Sequence, residues 1–405
     1  MQRASRVASL TPSSTLAVTA RANQLKAAGA DVISFGAGQP DFDTPQRIKD
    51  AAVASLAAGN TRYLPTAGPP ESREAVAAKL RNENSIDCDA SHIIITNGAK
   101  QALYECLQCV INPGDSVLLP TPGWVSYRPM IELAGGTVVE VPGSIENDFK
   151  ITPDLLSAAL KKHGERARAI IINSPSNPCG IMYSEDELRE LAAVLIPHPD
   201  IAIITDEIYE KIIFGEDHHF SLGSIPELRQ RVMTVNGLSK TYAMTGWRLG
   251  YACVPNAALA QSVALLQEHV SGNVTSFCHA AIVEALRPAP DEIAALRTRF
   301  AARAVLMHGL VLQWEGVRCP APSGAFYLFP DISACFGRTS LSGVTLTSAA
   351  EVAESLLDDA LVAVVPGEDF GQGGERHIRL SFACNDETIR EGCTRIARWL
   401  NECRS

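Results

Sequence analysis

From residue 92 onward, short uninterrupted apolar runs alternate with longer stretches whose apolar positions recur every three or four residues. The runs at 92–96, 116–119, 137–141, 169–172, 201–205, 232–235 and 249–253 lack polar alternation, which predicts strands buried on both faces. The stretches between them predict helices at 99–111, 124–133 and 186–195. The last opens on Ser184-Glu185-Asp186-Glu187, the spacing at which serine and glutamate side chains satisfy each other's free N–H groups. Strand, crossover helix and strand in repetition predict an α/β fold with a mostly parallel sheet sandwiched by helices.

The rhythm changes after about residue 286. Pro288 and Pro290 precede a long helical stretch to residue 312, followed by candidate strands at 324–329, 361–365 and 377–382 and helices at 348–358 and 386–400. A large domain over 45–286 and a smaller α+β domain over 287–405 follow from this break, and 405 residues suit two or three domain-sized units. Segment 1–44 has no apparent core of its own and is expected to pack with the smaller domain. No repeat or low-complexity tract is present.

Composition narrows the function classes. A hydrophobic share of 46% with 20% charged residues matches a globular protein, and no run of some 18 uncharged apolar residues suggests a membrane span. The first ten residues have no apolar run of secretory type, so a cytoplasmic location is expected. A net charge of −10 argues against nucleic acid or an anionic membrane as partner and favours a small ligand. The 11 cysteines are scattered, as suits reduced thiols. Cys106 and Cys109 form a CxxC inside a helical stretch without a second pair at metal spacing, so no metal is expected.

Chemistry concentrates just past the apolar runs. Ser239-Lys240-Thr241-Tyr242-Ala243-Met244-Thr245-Gly246-Trp247-Arg248 follows the run at 232–235. A lysine buried there has its charged form disfavoured, and a neutral amine can attack an aldehyde to form a Schiff base; Arg248 offers a fork of donors suited to phosphate. A basic surface loop would read the same in isolation. Asp206 closes the run at 201–205, where a carboxylate can pair with a protonated ring nitrogen or simply cap the next helix, and Tyr209 lies within reach of the same pocket. Asn173-Ser174-Pro175-Ser176-Asn177-Pro178-Cys179-Gly180 is a rigid loop able to present Asn177, or a purely structural turn. Asn97-Gly98-Ala99-Lys100 joins a strand to a helix whose first N–H groups form a phosphate cradle.

Together these residues resemble the class I aminotransferases of the fold-type-I pyridoxal-phosphate enzymes. The resemblance runs from Leu10-Thr11-Pro12-Ser13-Ser14-Thr15 and Gly38-Gln39-Pro40-Asp41 to His377-Ile378-Arg379-Leu380. It is nearest to the bacterial aspartate aminotransferase branch at Trp124-Val125-Ser126-Tyr127, Met244-Thr245-Gly246-Trp247-Arg248 and Val364-Val365-Pro366-Gly367. It implies pyridoxal 5'-phosphate bound as a Schiff base on Lys240, with Asp206 on the pyridine nitrogen, Tyr209 and Asn177 on the ring oxygen and Trp124 stacked on the ring. Arg248, Gly98, Ala99 and Lys100 would hold the phosphate, with Tyr63 reaching across from a partner subunit of a homodimer. Arg379 would clamp the substrate α-carboxylate, helped by the backbone at Gly38. The implied reaction is ping-pong exchange of an amino group between an L-amino acid and a 2-oxo acid, with Lys240 as proton carrier.

Within that branch, Lys100 corresponds to a lysine that receives the distal carboxylate, and Thr15 to a residue on the substrate side. L-Aspartate and 2-oxoglutarate are the expected pair, although a helix-start lysine facing solvent is the plain alternative for Lys100. Three positions depart from the pattern: Thr11 replaces a lysine, Gly123 an aromatic residue, and Cys179 a threonine. Loss of the aromatic ring at Gly123 is expected to widen the pocket wall. A lyase, decarboxylase or oxidase on the same scaffold, or a ligand sensor without catalysis, would share these cofactor residues.

Overall fold

A computed structural model describes residues 3–8, 10 and 14–404, so Thr11 lies outside the described residues. In chain order the described strands are β1 (Ile33–Ser34), β2 (Ile93–Thr96), β3 (Ser116–Thr121), β4 (Thr137–Pro142), β5 (Ala167–Asn173), β6 (Ala202–Asp206), β7 (Val232–Gly237), β8 (Gly250–Cys253), β9 (Tyr327–Leu328), β10 (Val362–Ala363), β11 (Val365–Pro366) and β12 (Ile378–Ser381). Seven form one sheet in the order β2-β8-β7-β6-β5-β3-β4. Neighbours from β7 to β4 run parallel, and only β8 is antiparallel, to β7 and β2. The expected α/β sheet is present.

Alternate residues of each strand face opposite helical layers. Ile94, Ile171 and Ile204 pack with Leu103, Leu107, Ile131 and Val263 on one side. On the other, Ile170, Ile172 and Ile203 meet Leu156, Leu188 and Leu191, while Ile93 and Ile95 meet Val76, Leu80 and Ile282. Such burial on both faces accounts for the unbroken apolar runs, at roughly 1.5–3 kcal/mol for each fully buried aliphatic side chain. β4 differs from expectation: as an edge strand it has exposed ends, and only Val141 is buried. The capping box forms as expected at Glu185–Leu195, between Ser184 and Glu187.

A further core gathers Phe300, Phe326, Leu328, Leu380 and Trp399 with Ile33, Phe35, Ile208 and Ile212. β1 pairs in parallel with β10, and Ala22 and Val32 pack on Leu357 and Ala363. The strand expected over 361–365 is two strands with different partners, β10 on β1 and β11 on β12; Leu361, at φ 56, precedes both. The strand expected over 324–329 shortens to β9, after Ala325 at φ 56. The helix expected from residue 124 starts at Tyr127, because Trp124 faces a cavity instead. Among the described residues, no helix is long and apolar enough to cross a membrane, and all 11 cysteines are free.

Candidate active site

Strand register sets the site. Asn173 lies opposite Asp206, Asp206 opposite Val235, and Gly250 opposite both Gly237 and Thr96. The segments following β2, β5, β6 and β7 therefore emerge at one level, at the carboxyl end where open α/β sheets bind ligands. A cavity of about 280 Å³ opens there.

Lys240 Nζ enters this cavity and donates to the Gly38 carbonyl at 2.5 Å. Burial pushes its ammonium down, Arg379 and Arg248 add repulsion, Asp206 offsets part of this, and the group titrates at about 8. Roughly a tenth of the amine is therefore neutral near pH 7, far more than for an unperturbed lysine. Asp206, 4% exposed, accepts from the Tyr127 hydroxyl at 2.7 Å and from Ile208 N–H at 3.3 Å. Burial pushes its carboxyl up and these two hydrogen bonds pull it back, leaving it at about 6. Tyr209, also buried, shares a 2.9 Å hydrogen bond with the Tyr327 hydroxyl.

A second cationic edge lies at the start of the helix Ala99–Val110. Gly98 has φ 83, and a Cβ there would sit 2.4 Å from Arg248 Nη2, so glycine leaves the space that the guanidinium occupies. Arg248 donates to the Thr245 carbonyl at 2.8 Å and the Asn97 carbonyl at 3.3 Å. Lys100 Nζ lies 4.8 Å from the Trp124 ring centre and donates to Ser126 Oγ at 3.1 Å. Burial and then Arg248 lower its pKa.

Arg379 closes the opposite side from β12. It is 2% exposed, donates to Asn177 Oδ1 at 3.0 Å and the Gly36 carbonyl at 2.7 Å, and stacks 4.6 Å from the Tyr327 ring centre. Its Nε is buried without a hydrogen-bond partner among the described residues. These hydrogen bonds of Lys240, Arg248, Lys100 and Arg379 all go to neutral oxygens, so Asp206 stands as the acid amid four cations.

The cavity brings together Lys240, Asp206, Tyr209, Asn177, Trp124, Arg248, Ala99, Lys100, Arg379, Gly38 and Thr15. Gly98 adjoins it through Arg248, whereas Tyr63, 97% exposed, stands away from it. Sequence reasoning assigned no role to Tyr127, Tyr327 or Gly36. Tyr127 follows Trp124 by three residues, a spacing that could have flagged it, but Tyr327 and Gly36 reach the site only through long-range pairing. Gly123 corrects an expectation: its Cβ direction points at the Pro120 carbonyl, 2.7 Å away, not into the main cavity. It does border a second cavity of about 300 Å³ shared with Lys100, Trp124 and Arg128, where its N–H donates to the Phe370 carbonyl at 2.8 Å. Cys179 packs in an apolar cluster with Phe149, Phe329 and Phe370.

Behind Asp206 and Tyr209 lies a buried polar cluster. Lys79 forms an ion pair with Glu210, while Asn84 donates to Glu210 at 2.7 Å and Ser221 Oγ to Glu207 at 2.5 Å. Glu207, Glu210 and His219 are close enough together to hold a metal ion, but the Lys79 ammonium already engages Glu210.

The family description "Aminotransferase class I and II" matches residues 30–396. The chain belongs to this family. The aminotransferase is 42% identical over 391 residues to an aspartate/prephenate aminotransferase of Cereibacter sphaeroides, covering 96% of both chains. It is 40% identical over 403 residues to an aspartate aminotransferase of Bacillus subtilis, covering 99% of this chain and 100% of that one. Among solved structures, the Rhizobium meliloti aspartate aminotransferase superposes with a TM-score of 0.95 at 35% identity and full coverage of both chains. The Thermus thermophilus enzyme with maleate gives 0.90 at 38% identity, covering 98% of this chain and 100% of that one. The fold is fold type I, the chemistry is amino transfer between amino acids and 2-oxo acids, and the cofactor is pyridoxal phosphate. The donor set fits that group: a neutralisable amine, a buried acid for a ring nitrogen, an aromatic face, and a helix start with Arg248 for a phosphate.

Proposed function

We propose that this aminotransferase exchanges the amino group between L-aspartate and 2-oxoglutarate by a ping-pong mechanism, with Lys240 as cofactor lysine and proton carrier. The observation that carries the reading is the cavity itself, where Lys240 and Asp206 lie among Arg379, Lys100 and Arg248, three further cations held by neutral oxygens. A dicarboxylate and a phosphate are the charges that such a cavity would otherwise lack. The maleate carried by the Thermus relative, itself a dicarboxylate, agrees with this reading.

Pyridoxal phosphate supplies an aldehyde for amines and a ring that withdraws electrons from the α-carbon. In our reading Asp206 would keep the ring nitrogen protonated, Tyr209 and Asn177 would donate to the ring oxygen, and Trp124 would cover the ring face. Arg248 and the N–H groups after Gly98 would hold the phosphate, with Lys100 nearby. Arg379 grips the α-carboxylate through two parallel hydrogen bonds, beside the Gly38 backbone. Lys100 and Thr15 face the distal carboxylate. Lys240 Nζ, neutral in part because of its burial, takes the proton from the substrate α-carbon and delivers one to the α-carbon of the product amino acid in the return half.

We propose also a homodimer in which the exposed Tyr63 reaches the partner's phosphate site, a division into domains at 45–286 and 287–405 with 1–44 on the smaller one, and a cytoplasmic location consistent with free thiols. A second reading, acceptance of the bulkier acid prephenate, draws support from the 300 Å³ cavity beside Lys100 and Trp124 and from the Cereibacter relative. The test is to incubate the purified enzyme with L-aspartate and 2-oxoglutarate and measure oxaloacetate and glutamate. Formation of both, abolished in Lys240→Ala, is expected; turnover of other amino donors but not aspartate would overturn the substrate assignment.

A further inference from the structure

Tyr327 has no part in the roles above, yet it touches two of the groups that have. It sits in β9 opposite Ser381 of β12, two residues from Arg379 on the same strand, and is 1% exposed. Its hydroxyl lies 2.9 Å from that of Tyr209, and its ring lies 4.6 Å under the Arg379 guanidinium. A Cβ on Gly38 would fall 2.7 Å from the Tyr327 oxygen, so the glycine makes room for this hydroxyl beside the Lys240 contact.

The proton count at this pair is informative. Burial pushes both phenols up, so each keeps its proton at neutral pH. Two protons then serve one shared hydrogen bond, and the second must point elsewhere. Both side chains line the cavity. A buried hydroxyl proton seeks an acceptor, and the proton left over is available to a ligand.

We propose that Tyr327 is a positioning residue of the amino-transfer site: its hydroxyl donates to Tyr209 and so aims the Tyr209 proton into the cavity, while its ring face supports Arg379. The first half rests on the reading of Tyr209 as donor to the cofactor's ring oxygen. A hydroxyl that accepts one hydrogen bond donates a stronger one, which stabilises an anionic ring oxygen. Without Tyr327's hydroxyl that oxygen is more basic, and the bound cofactor loses its proton at higher pH.

Two variants separate the two roles. Tyr327→Phe keeps the ring and removes the hydroxyl; the pH midpoint of the holoenzyme's visible absorbance is expected to rise by about 0.5–1 unit, with the dissociation constant for maleate within about twofold of wild type. Tyr327→Leu removes both, and its maleate dissociation constant is expected to rise about five- to tenfold with the same shift in midpoint. Circular dichroism and thermal melting verify folding, and the phenylalanine variant keeps the test decisive should the leucine variant unfold. An unmoved midpoint in Tyr327→Phe overturns the proposal, as does a folded Tyr327→Leu that binds maleate as tightly as wild type. A wild-type enzyme without a pH-dependent visible band would instead overturn the cofactor reading of Lys240 and, with it, this inference.

Discussion

Replacing Tyr127 with Phe removes one hydroxyl and should move the titration of Asp206. The carboxyl is pushed up by burial to about 6 and is kept from rising further mainly by the Tyr127 hydroxyl at 2.7 Å, with a longer 3.3 Å bond from Ile208 N–H. A hydrogen bond to a charged acceptor is worth about 1.5–3 kcal/mol, and one pH unit corresponds to about 1.4 kcal/mol, so its loss should raise the Asp206 midpoint by about 1–2 units. Only the ionised carboxylate can pair with a protonated ring nitrogen. The acid limb of cofactor binding therefore shifts to higher pH in Tyr127→Phe, whereas affinity well above the new midpoint is little changed. The ring itself stays, preserving the edge-on contact with Trp124 at 5.4 Å and 86°. The assay is titration of apoenzyme with pyridoxal phosphate at a series of pH values, compared with wild type. A midpoint unchanged, or displaced to lower pH, would refute the account of Asp206.

Other perturbations test separate parts of the site. Gly98→Ala places a Cβ 2.4 Å from Arg248 Nη2 at a residue with φ 83. Strain of about 1–3 kcal/mol is expected to weaken cofactor binding about tenfold or more, as read by equilibrium dialysis. Arg379→Lys loses the planar fork and should raise KM for both the amino acid and the oxo acid about tenfold or more, with the visible spectrum retained. Lys79→Met leaves Glu210 buried without its ammonium partner and should cost about 3–5 kcal/mol, measured by urea unfolding. For Glu210 itself, burial raises the pKa, but Lys79, Lys211 and His219 outweigh it and bring it to about 2. Its folded-state value is thus depressed, so its contribution is full above the unfolded value of 4.5 and is lost as pH falls toward 2. The stability gap between Lys79→Met and wild type should accordingly narrow below pH 4.5.

The sheet was legible because strands buried on both faces write themselves as unbroken apolar runs, and the ends of those strands and the loops after them carry Asp206, Lys240 and Asn177 into the cavity. β4 misled for the same reason: Val138 and Val139 look like core, but among the described residues no strand covers its outer edge. β1 is two residues long and exists only because β10 pairs with it, so no local pattern announces it. Tyr327 and Gly36 belong to this class, since their places depend on β9 and β12 meeting residues some 120 to 340 positions away. The buried pair of Lys79 and Glu210 was hidden differently: each residue sits in a polar-looking stretch, and only the fold shows that neither is solvated. Tyr63 acquired its expected role entirely from the family resemblance, and its 97% exposure is compatible with a partner's site.

The central claim is that Lys240 carries the cofactor. Reduction of the purified holoenzyme with borohydride fixes an imine as a stable amine, and peptide mass spectrometry then locates it. The pyridoxyl-phosphate mass is expected on the peptide containing Lys240 and on no other lysine peptide. Its appearance on Lys100 or another lysine, or an unmodified Lys240 in enzyme that retains full activity, would contradict the account.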